Sequence, residues 1–420
     1  MPASPRSLQD VIYLDNNATT PVAPTVREAV SLCLSAHFGN PFSGHVFGKS
    51  AAKVLREARE EVRKTLNAHD TEEICFTSGA TEALNWAISS CARMVRKKFP
   101  HANRIVTSAV EHVAVFKICE ALEAEGFETV KVGVDAEGFL DIDCLKEHLD
   151  ERVCLVTLIH ANAEVGAVQP VKEVASAVRA RAPNALFHVD ASQSVGKIPV
   201  DVMDLCVDMM TIAGHKFYAP KGVGALYMRK ETALEELPPL LHGGGQEWGR
   251  RGGTENVALC AALGEACRLV RECGESSFVC LRESRMSFEQ TLLRILSEKC
   301  KDAGSPFVVE EMIRFNGPSG REKEHLRLPN TLSISFRGMR GSLMALSLGE
   351  SLVAVSSGSA CHSDCETLSP VLKAMKVPEE WGLGTLRVST GRGTTVAEAE
   401  EAARRVADFV FPRLVGKAAE

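Results

Sequence analysis

Short apolar runs alternate with amphipathic helical patterns over the first half of the chain. Runs rich in β-branched and other apolar residues predict seven strands, at residues 73–77, 104–108, 129–134, 154–160, 186–189, 209–212 and 224–228. Apolar residues recur at helical spacing between several of them, as at residues 113–125 and 171–181. Repeated alternation of strands and helices predicts an α/β layer with a mainly parallel sheet.

The pattern changes after about residue 256, where a long helical stretch runs to about residue 299. Strands are then predicted at 331–336, 352–356 and 386–389, and helices near 339–348 and at 396–410. These elements predict a smaller α+β domain. We place the boundary at residue 260, which gives a large domain of 11–260, a small domain of 261–420 and a flexible segment of 1–10, with a helix crossing the boundary.

Charge and composition narrow the classes of protein. The net charge of −6 over 420 residues argues against a nucleic-acid-binding surface as the main function. No apolar run reaches the roughly 18 residues needed to cross a bilayer, so we expect no membrane partner. The first ten residues lack the apolar core of an export signal, and the 14 cysteines are irregularly spaced. We therefore expect a cytoplasmic protein with reduced, mostly structural thiols.

Two predicted strands lead into groups with acid–base chemistry. One leads directly into Asp190, and the next leads through Gly214 and His215 to Lys216. The carboxyl ends of parallel strands meet at one edge of a sheet, where α/β proteins bind ligands. Pyridoxal phosphate requires a lysine for its imine and a carboxylate facing its ring nitrogen. Either residue alone is more often a loop lysine or a helix cap, but together they predict a pyridoxal-phosphate site.

Two loops of small residues are candidates for the phosphate end of that site. Residues 76–83 join a predicted strand to a helix, and Ala80 and Thr81 lie where backbone amides and the helix dipole favour an anion. The alternative is an ordinary turn with a Ser or Thr cap. The second loop, residues 242–256, is rich in glycine and is either flexible or brings Thr254 to a phosphate, in one chain or across a dimer interface.

Cys361 differs from the other thiols because it lies in a run of small and polar residues, 357–364, after a predicted strand. Such a run is typical of a mobile loop. A nucleophilic cysteine needs exposure and a nearby cation or proton acceptor, which His362 or the cofactor could supply. Cys365 could pair with it on a metal, but two further ligands at suitable spacing are not apparent, so we predict no metal and a structural role for Cys365.

Taken together, these motifs resemble the cysteine desulfurase and selenocysteine lyase family, which has the class V, aminotransferase-like fold of pyridoxal-phosphate enzymes. The resemblance extends from about residue 11 to residue 410, and its seven motifs in order are specific although each alone is modest. They lie at residues 15–21, 77–82, 111–112, 188–193, 214–216, 243–246 and 356–361. The resemblance implies a pyridoxal-phosphate-dependent transferase fold, a seven-stranded, mainly parallel sheet in the large domain, and a homodimer.

The resemblance also implies a role for each matching residue. Lys216 carries the imine, Asp190 faces the ring nitrogen, and Gln193 donates to the phenolic oxygen. His112 stacks on the ring and relays protons, and Cys361 is the nucleophile. The implied phosphate contacts are Ala80, Thr81, His215 and, from a second subunit, Thr254. The implied substrate-binding residues are Arg387, which clamps the carboxylate, and Asn16.

This chain departs from the family pattern at two positions. Ala163 stands where the family usually has an asparagine near the cofactor and substrate, which puts catalytic power or substrate orientation in doubt. Ala213 replaces a serine that reaches the phosphate in many members. Loss of that hydroxyl should cost one hydrogen bond among many, about 1 kcal/mol.

In the implied reaction, the lysine freed by substrate removes the α-proton, and the Cys361 thiolate attacks sulfur to give an enzyme persulfide and L-alanine. L-Selenocysteine would lose selenium at the same site, and residues 361–364 and 369–372 are similar to selenocysteine lyases. The segment from Cys361 to Arg387 is long, as in the branch of the family whose long loop can deliver sulfur to an acceptor protein. Another class V aminotransferase or lyase, or a non-catalytic scaffold, remains an alternative.

Overall fold

The computed structural model describes residues 10–230, 237–303, 308–358 and 367–418. Its strands are β1 (Ile12–Tyr13), β2 (Ile74–Thr77), β3 (Arg104–Ser108), β4 (Glu128–Val132), β5 (Val153–Ile159), β6 (Leu186–Asp190), β7 (Met209–Ala213), β8 (Gly224–Met228), β9 (Ile313–Asn316), β10 (Thr331–Phe336), β11 (Val353–Ala354) and β12 (Thr385–Ser389). Its α-helices are α1 (Pro24–Ser35), α2 (Val46–Leu66), α3 (Ala80–Asn85), α4 (Cys91–Lys98), α5 (Val113–Glu123), α6 (Ile142–His148), α7 (Val171–Arg181), α8 (Val257–Asp302), α9 (Val309–Met312), α10 (Gly341–Glu350), α11 (Pro370–Ala374), α12 (Glu379–Gly382) and α13 (Val396–Ala418).

A seven-stranded sheet forms the centre of the larger part of the molecule, in the order β2-β8-β7-β6-β5-β3-β4. The five strands from β7 to β4 pair in parallel, whereas β8 is antiparallel to both β7 and β2. Every residue of β3, β5, β6, β7 and β8 is buried. Burial on both faces explains why these strands are continuous apolar runs rather than alternating ones.

All seven strands predicted for this sheet are present, so the α/β class and the seven-stranded, mainly parallel sheet are confirmed. The predicted bounds of some strands differ from the observed ones by one or two residues. The strand predicted at 129–134 is Glu128–Val132, and the one predicted at 154–160 is Val153–Ile159. Asp190, predicted to follow its strand, is the last residue of β6.

Two small sheets, β12-β10-β9 and β1-β11, form the rest of the architecture. The first is antiparallel, and the second joins the N-terminal segment to the C-terminal part in parallel. The prediction did not include β1 or β9, and the strand predicted at 352–356 is reduced to Val353–Ala354. The closing helix, predicted to end at 410, continues to Ala418.

Helix α8 connects two hydrophobic cores. Its first part packs on the large sheet through residues such as Leu263 and Cys267, and its later part contributes Phe288 to a second core that also contains Leu14. Between them the helix is kinked at Gly274, whose φ of +44° is accessible to glycine without strain. The boundary at residue 260 stays a prediction, and this packing favours one nearer the kink.

Within the described ranges, none of the helices is both long and apolar enough to span a bilayer.

Candidate active site

The carboxyl ends of β6 and β7 bring the predicted acid and lysine to one edge of the sheet. The two strands pair in parallel, with Asp190 opposite Thr211. After β7 the chain enters a single 3-10 turn, Gly214–Lys216, which places the lysine just beyond the strand end. Parallel pairing and one short turn therefore bring two residues that are distant in sequence to the same crevice.

The amine of Lys216 lies against the N-terminal segment. Its Nζ donates to the backbone oxygens of Asn17 and Ala18, both at 2.8 Å. These residues lie between β1 and α1, so the segment that closes the site comes from nearly two hundred residues away in sequence. The lysine is half-buried and held by carbonyl groups, which accept hydrogen bonds from an amine without carrying a full charge.

Asp190 is buried at 3% exposure, and its orientation is fixed by a nearby serine. One carboxylate oxygen, Oδ1, accepts from Ser192 N at 3.0 Å and from Ser192 Oγ at 2.5 Å. Ser192 was not predicted as a site residue, although a serine two residues after an aspartate at a strand end is a recognisable turn pattern. A carboxylate held in this way can face a cationic ring nitrogen.

Gln193 and a second lysine lie beside this pair. Gln193 Nε2 donates to Asn17 O at 3.0 Å, and its Oε1 accepts from Lys197 Nζ at 2.5 Å. Lys197, which the sequence analysis also missed, is only 4% exposed. Its signal in the sequence is a lysine four residues after Gln193 among small and apolar neighbours.

His215 lies next to the lysine and is held by Thr19, whose Oγ1 is 3.2 Å from the histidine Nδ1. Burial, followed by the positive charge of Lys216, lowers the pKa of His215 to about 4. The ring is therefore neutral at pH 7 and can offer one N–H donor to an anion.

His112 is the N-cap of helix α5 and follows the carboxyl end of β3, at the same edge of the sheet. Its Nδ1 accepts from Ala114 N at 3.2 Å, so the neutral ring carries its proton on Nε2. The preceding residue, Glu111, is buried, and burial raises its pKa to about 8. Glu111 Oε1 accepts from Ser108 Oγ at 2.5 Å and from Ile159 N at 2.9 Å. In the sequence, Glu111 was recognised only as the neighbour of His112.

The predicted phosphate end begins at helix α3. Gly79 is its N-cap, with φ of +151° and no side-chain capping bond. The space beside Gly79 is open, since no other atom lies within 4 Å of the position that a Cβ would take. The helix continues through a π-helical turn, Trp86–Ser90, into α4, so the amides near Ala80 and Thr81 stand at the start of a long helical stretch. Thr254 is exposed and lines a cavity together with Thr77 and Ser78, so the two small-residue loops meet within one chain.

Arg387 lies on β12 and is 2% exposed. Its Nη2 pairs with Asp15 Oδ1 at 2.7 Å, and its Nη1 donates to Ala163 O at 3.5 Å. Nε has no hydrogen-bond partner among the described residues. The guanidinium thus retains donor capacity in a buried position, which suits a carboxylate ligand.

The two asparagines of the N-terminal motif lie in different surroundings. Asn16 Nδ2 donates to Ser389 O at 3.0 Å. Asn17, which was not predicted, donates through Nδ2 to Ala163 O at 3.0 Å and to Thr331 Oγ1 at 2.8 Å, while its backbone oxygen holds Lys216. The substrate-binding role of Asn16 stays a prediction.

Cys361, His362 and Cys365 lie outside the described residues. The chain before them is fixed by Ser356, which exchanges backbone hydrogen bonds with Arg387 at 2.7 and 3.3 Å. In the ranges that are described, the structure contains no group of three or more metal-ligating side chains.

Comparison with known proteins gives a consistent result. The family described as Aminotransferase class-V matches residues 12–401. Cysteine desulfurase of Nostoc sp. is 42% identical over 388 residues, which cover 92% of this chain and 90% of the relative. Cysteine desulfurase IscS of Dictyoglomus turgidum is 41% identical over 384 residues, covering 91% and 90%.

Solved structures agree with the sequence relatives. A NifS-like protein has a TM-score of 0.83 and 32% identity and covers 95% of this chain and 99% of its own. SspA in complex with cysteine has a TM-score of 0.72 and 33% identity and covers 90% and 99%. The chain therefore belongs to the class-V aminotransferase family and, within it, to the cysteine desulfurase group.

Proposed function

We propose that this protein is a pyridoxal-phosphate-dependent cysteine desulfurase that converts L-cysteine to L-alanine and takes the sulfur onto Cys361 as a persulfide. One observation carries the proposal. The amine of Lys216, the buried carboxylate of Asp190 and the amide of Gln193 converge at the carboxyl edge of the sheet, where the N-terminal segment joins them to Arg387. L-Selenocysteine is the alternative substrate, and selenium would be removed at the same site.

The residues present fit the cofactor. Lys216 would hold its aldehyde carbon and Asp190 its ring nitrogen, and Gln193 would donate to its phenolic oxygen. The open space at Gly79, with the helix start behind it, suits a phosphate, and neutral His215 adds a donor. When bound, pyridoxal phosphate supplies a cationic ring that stabilises negative charge at the substrate α-carbon. His112 would lie against the ring. Thr254 is exposed beside Thr77 and Ser78 of its own chain, and in a dimer it would contact the phosphate held by the second subunit.

Lys216 also moves the proton. Once the amine is released by substrate, it takes the proton from the α-carbon and later returns one to the product. The carbonyls of Asn17 and Ala18 accept hydrogen bonds from this amine and so keep it near the sheet edge. General acid–base catalysis by a positioned group of this kind contributes typically about 10² to 10⁴ in rate.

Arg387 binds and orients the substrate. A buried guanidinium with an unsatisfied Nε attracts a carboxylate, and Asp15 holds its other side so that it cannot swing away. Fixing the carboxylate places the α-proton relative to Lys216 and the sulfur relative to the segment that carries Cys361. Asn16 belongs to this substrate-binding set.

Cys361 performs the sulfur transfer. Its thiolate forms a bond to the substrate sulfur while the carbon–sulfur bond breaks, and the electron pair of that bond remains with the carbon skeleton that becomes alanine. A proton supplied by the site completes the product, and the second sulfur stays on Cys361 until an acceptor protein removes it. We expect this acceptor in a reducing, cytoplasmic setting, and we expect the enzyme to act as a homodimer.

Conversion of Cys361 to Ala tests the function against its rivals. A desulfurase should lose sulfide release but retain a yellow colour that borohydride bleaches, because Lys216 is intact. An aminotransferase on the same scaffold should keep its activity. Lys216→Ala should abolish borohydride trapping, as read by the mass of the intact chain. Alanine formation compared for cysteine and selenocysteine identifies the substrate, and a chain that forms no alanine from either would refute the proposal.

A further inference from the structure

Lys197 is a buried lysine to which the proposed reaction assigns no role. It lies beyond β6, four residues after Gln193, and is 4% exposed. Lysine is almost never fully buried without partners, because transfer of its amine out of water is costly. Its position therefore calls for a physical explanation.

The partners of Lys197 are two amide oxygens at the cofactor edge. Nζ donates to Gln193 Oε1 at 2.5 Å and to Asn17 Oδ1 at 3.1 Å. Asn330 Nδ2 donates to the same Asn17 oxygen at 3.1 Å. Both acceptors are neutral, so these contacts set geometry and do not form an ion pair.

These contacts fix which end of each amide points where. A lysine amine has donors and no acceptor in its charged form, so it must face the oxygen of an amide and not its nitrogen. With Lys197 on Oε1, Gln193 directs Nε2 toward the backbone oxygen of Asn17, the same oxygen that accepts from Lys216. The donor of Gln193 and the amine of Lys216 are thereby brought to one point.

We propose that Lys197 is a positioning residue that holds the Gln193 amide with Nε2 toward the phenolic oxygen of bound pyridoxal phosphate. The inference rests on the proposed function, since it needs that cofactor at Lys216. Without Lys197, the Gln193 amide can turn over and present its oxygen to the cofactor oxygen, which repels it. Lys197 acts through Gln193 and does not touch substrate.

The charged groups that face Lys197 are consistent with this role. Burial, followed by the positive charges of Lys216 and Arg387, lowers the pKa of Lys197 well below its usual value. A neutral amine could also accept from a turned-over Gln193, but that arrangement would set Gln193 Oε1 against the backbone oxygen of Asn17, so donation by Lys197 to Oε1 is favoured in either protonation state. The role is therefore to provide hydrogen bonds, which an apolar side chain of similar length cannot replace.

Lys197→Met tests the proposal through the colour of the cofactor-loaded protein. A donor on the phenolic oxygen stabilises its negative charge and makes it a weaker partner for the imine proton. Loss of the donor should therefore raise the pH at which the yellow absorbance band changes, by about one pH unit for one hydrogen bond to a charged oxygen. Gln193→Met should raise it similarly.

The double variant distinguishes positioning from bulk packing. If Lys197 acts through Gln193, the yellow absorbance band of the double variant Lys197→Met/Gln193→Met should change at the same pH as that of Gln193→Met alone. Lys172→Met is the matched control, because Lys172 is an exposed lysine paired with Asp204 on the surface, and its transition should equal that of wild type. An unshifted Lys197→Met, or shifts that add in the double variant, would overturn the proposal.

Two further measurements keep the result interpretable. Should Lys197→Met not fold, Lys197→Gln replaces it in the comparison of single and double variants. A shift caused by Lys197→Gln that disappears in the Gln193→Met background supports the role, and a Lys197→Gln variant with no shift overturns it. Borohydride trapping of the wild-type protein separates this inference from the function on which it depends. If borohydride traps the cofactor on wild type but the shifts of the Lys197 and Gln193 variants are independent, only the role of Lys197 is wrong. If wild type does not trap the cofactor, both the role of Lys197 and the proposed function are overturned.

Discussion

Replacement of Arg387 by lysine should weaken substrate binding without removing the charge. Arg387 is 2% exposed and makes a 2.7 Å contact with Asp15 through one terminal nitrogen. A lysine has a single nitrogen, which can maintain the contact with Asp15 or meet a substrate carboxylate, but cannot reproduce the planar fork that does both. We therefore expect the fold to survive and the substrate contact to be lost.

The size of the effect follows from the number of bonds lost. Nε has no partner among the described residues, and a carboxylate ligand would engage it as a charge-assisted hydrogen bond. Such bonds contribute about 1.5–3 kcal/mol each, so kcat/KM for cysteine should fall about 10- to 150-fold. Most of this loss should be in KM, because the guanidinium binds the carboxylate in the ground state as well as in the transition state.

Initial rates of alanine formation at several cysteine concentrations measure this effect. Arg404→Lys is the control, since Arg404 lies on the surface of α13 with Glu401 and Asp408, and it should leave both constants unchanged. The absorbance of the bound cofactor should be the same in all three proteins. An Arg387→Lys variant with unchanged KM would show that Arg387 serves the domain junction through Asp15 and does not hold the substrate.

Three further outcomes are expected from buried groups. Glu247→Gln should lower the free energy of unfolding by about 3–5 kcal/mol in urea titrations, because Arg59, within 2.7 Å of both Glu247 oxygens, would keep a buried charge without its partner. Glu111→Gln should remove a pH dependence of the free energy of unfolding. Burial raises the pKa of Glu111 to about 8, so the folded chain holds a proton that the unfolded chain releases above pH 4.5. The free energy of unfolding of wild type, relative to that of this variant, should therefore fall between pH 4.5 and 8. Ser192→Ala should weaken cofactor binding about tenfold in a fluorescence titration, because Asp190 Oδ1 loses a 2.5 Å hydrogen bond, and equal affinity would contradict that role.

The strands of the large sheet could be predicted because burial on both faces leaves a strong local signal. Runs such as Val153–Ile159 are apolar throughout, and the pattern needs no knowledge of the neighbouring strands. The short strands β1 and β11 give no such signal, because each has two residues and exists only through pairing with the other, far along the chain. The kink at Gly274 was missed for a different reason, because the residues on both sides of it are helical in pattern.

The positions of candidate site residues could be predicted where a residue lies at the end of a strand or within a recognised motif. Asp190 is the last residue of an apolar strand and Lys216 comes one short turn after another, so position and residue type agree. Asn17 and Lys197 were missed because their roles depend on hydrogen bonds to residues far away in sequence, such as the contact between Asn17 and Lys216 across 199 positions. Periodicity carries no information about contacts of this kind.

Ala163 replaces the asparagine that the family usually has near the cofactor, and its backbone keeps contacts that hold the site together. The side chain that the family usually has at position 163 is absent, but the backbone oxygen of Ala163 still accepts from Asn17 at 3.0 Å and from Arg387 at 3.5 Å. The preceding Asn162 fixes the turn, since its Oδ1 accepts from the backbone N–H groups of Glu164 and Val165 at 2.9 and 3.0 Å. Alanine therefore preserves the path of the loop and its bonds to the N-terminal segment and to Arg387. What it removes is a side-chain amide alone, so the substitution should alter how substrate is oriented and leave the framework of the site intact.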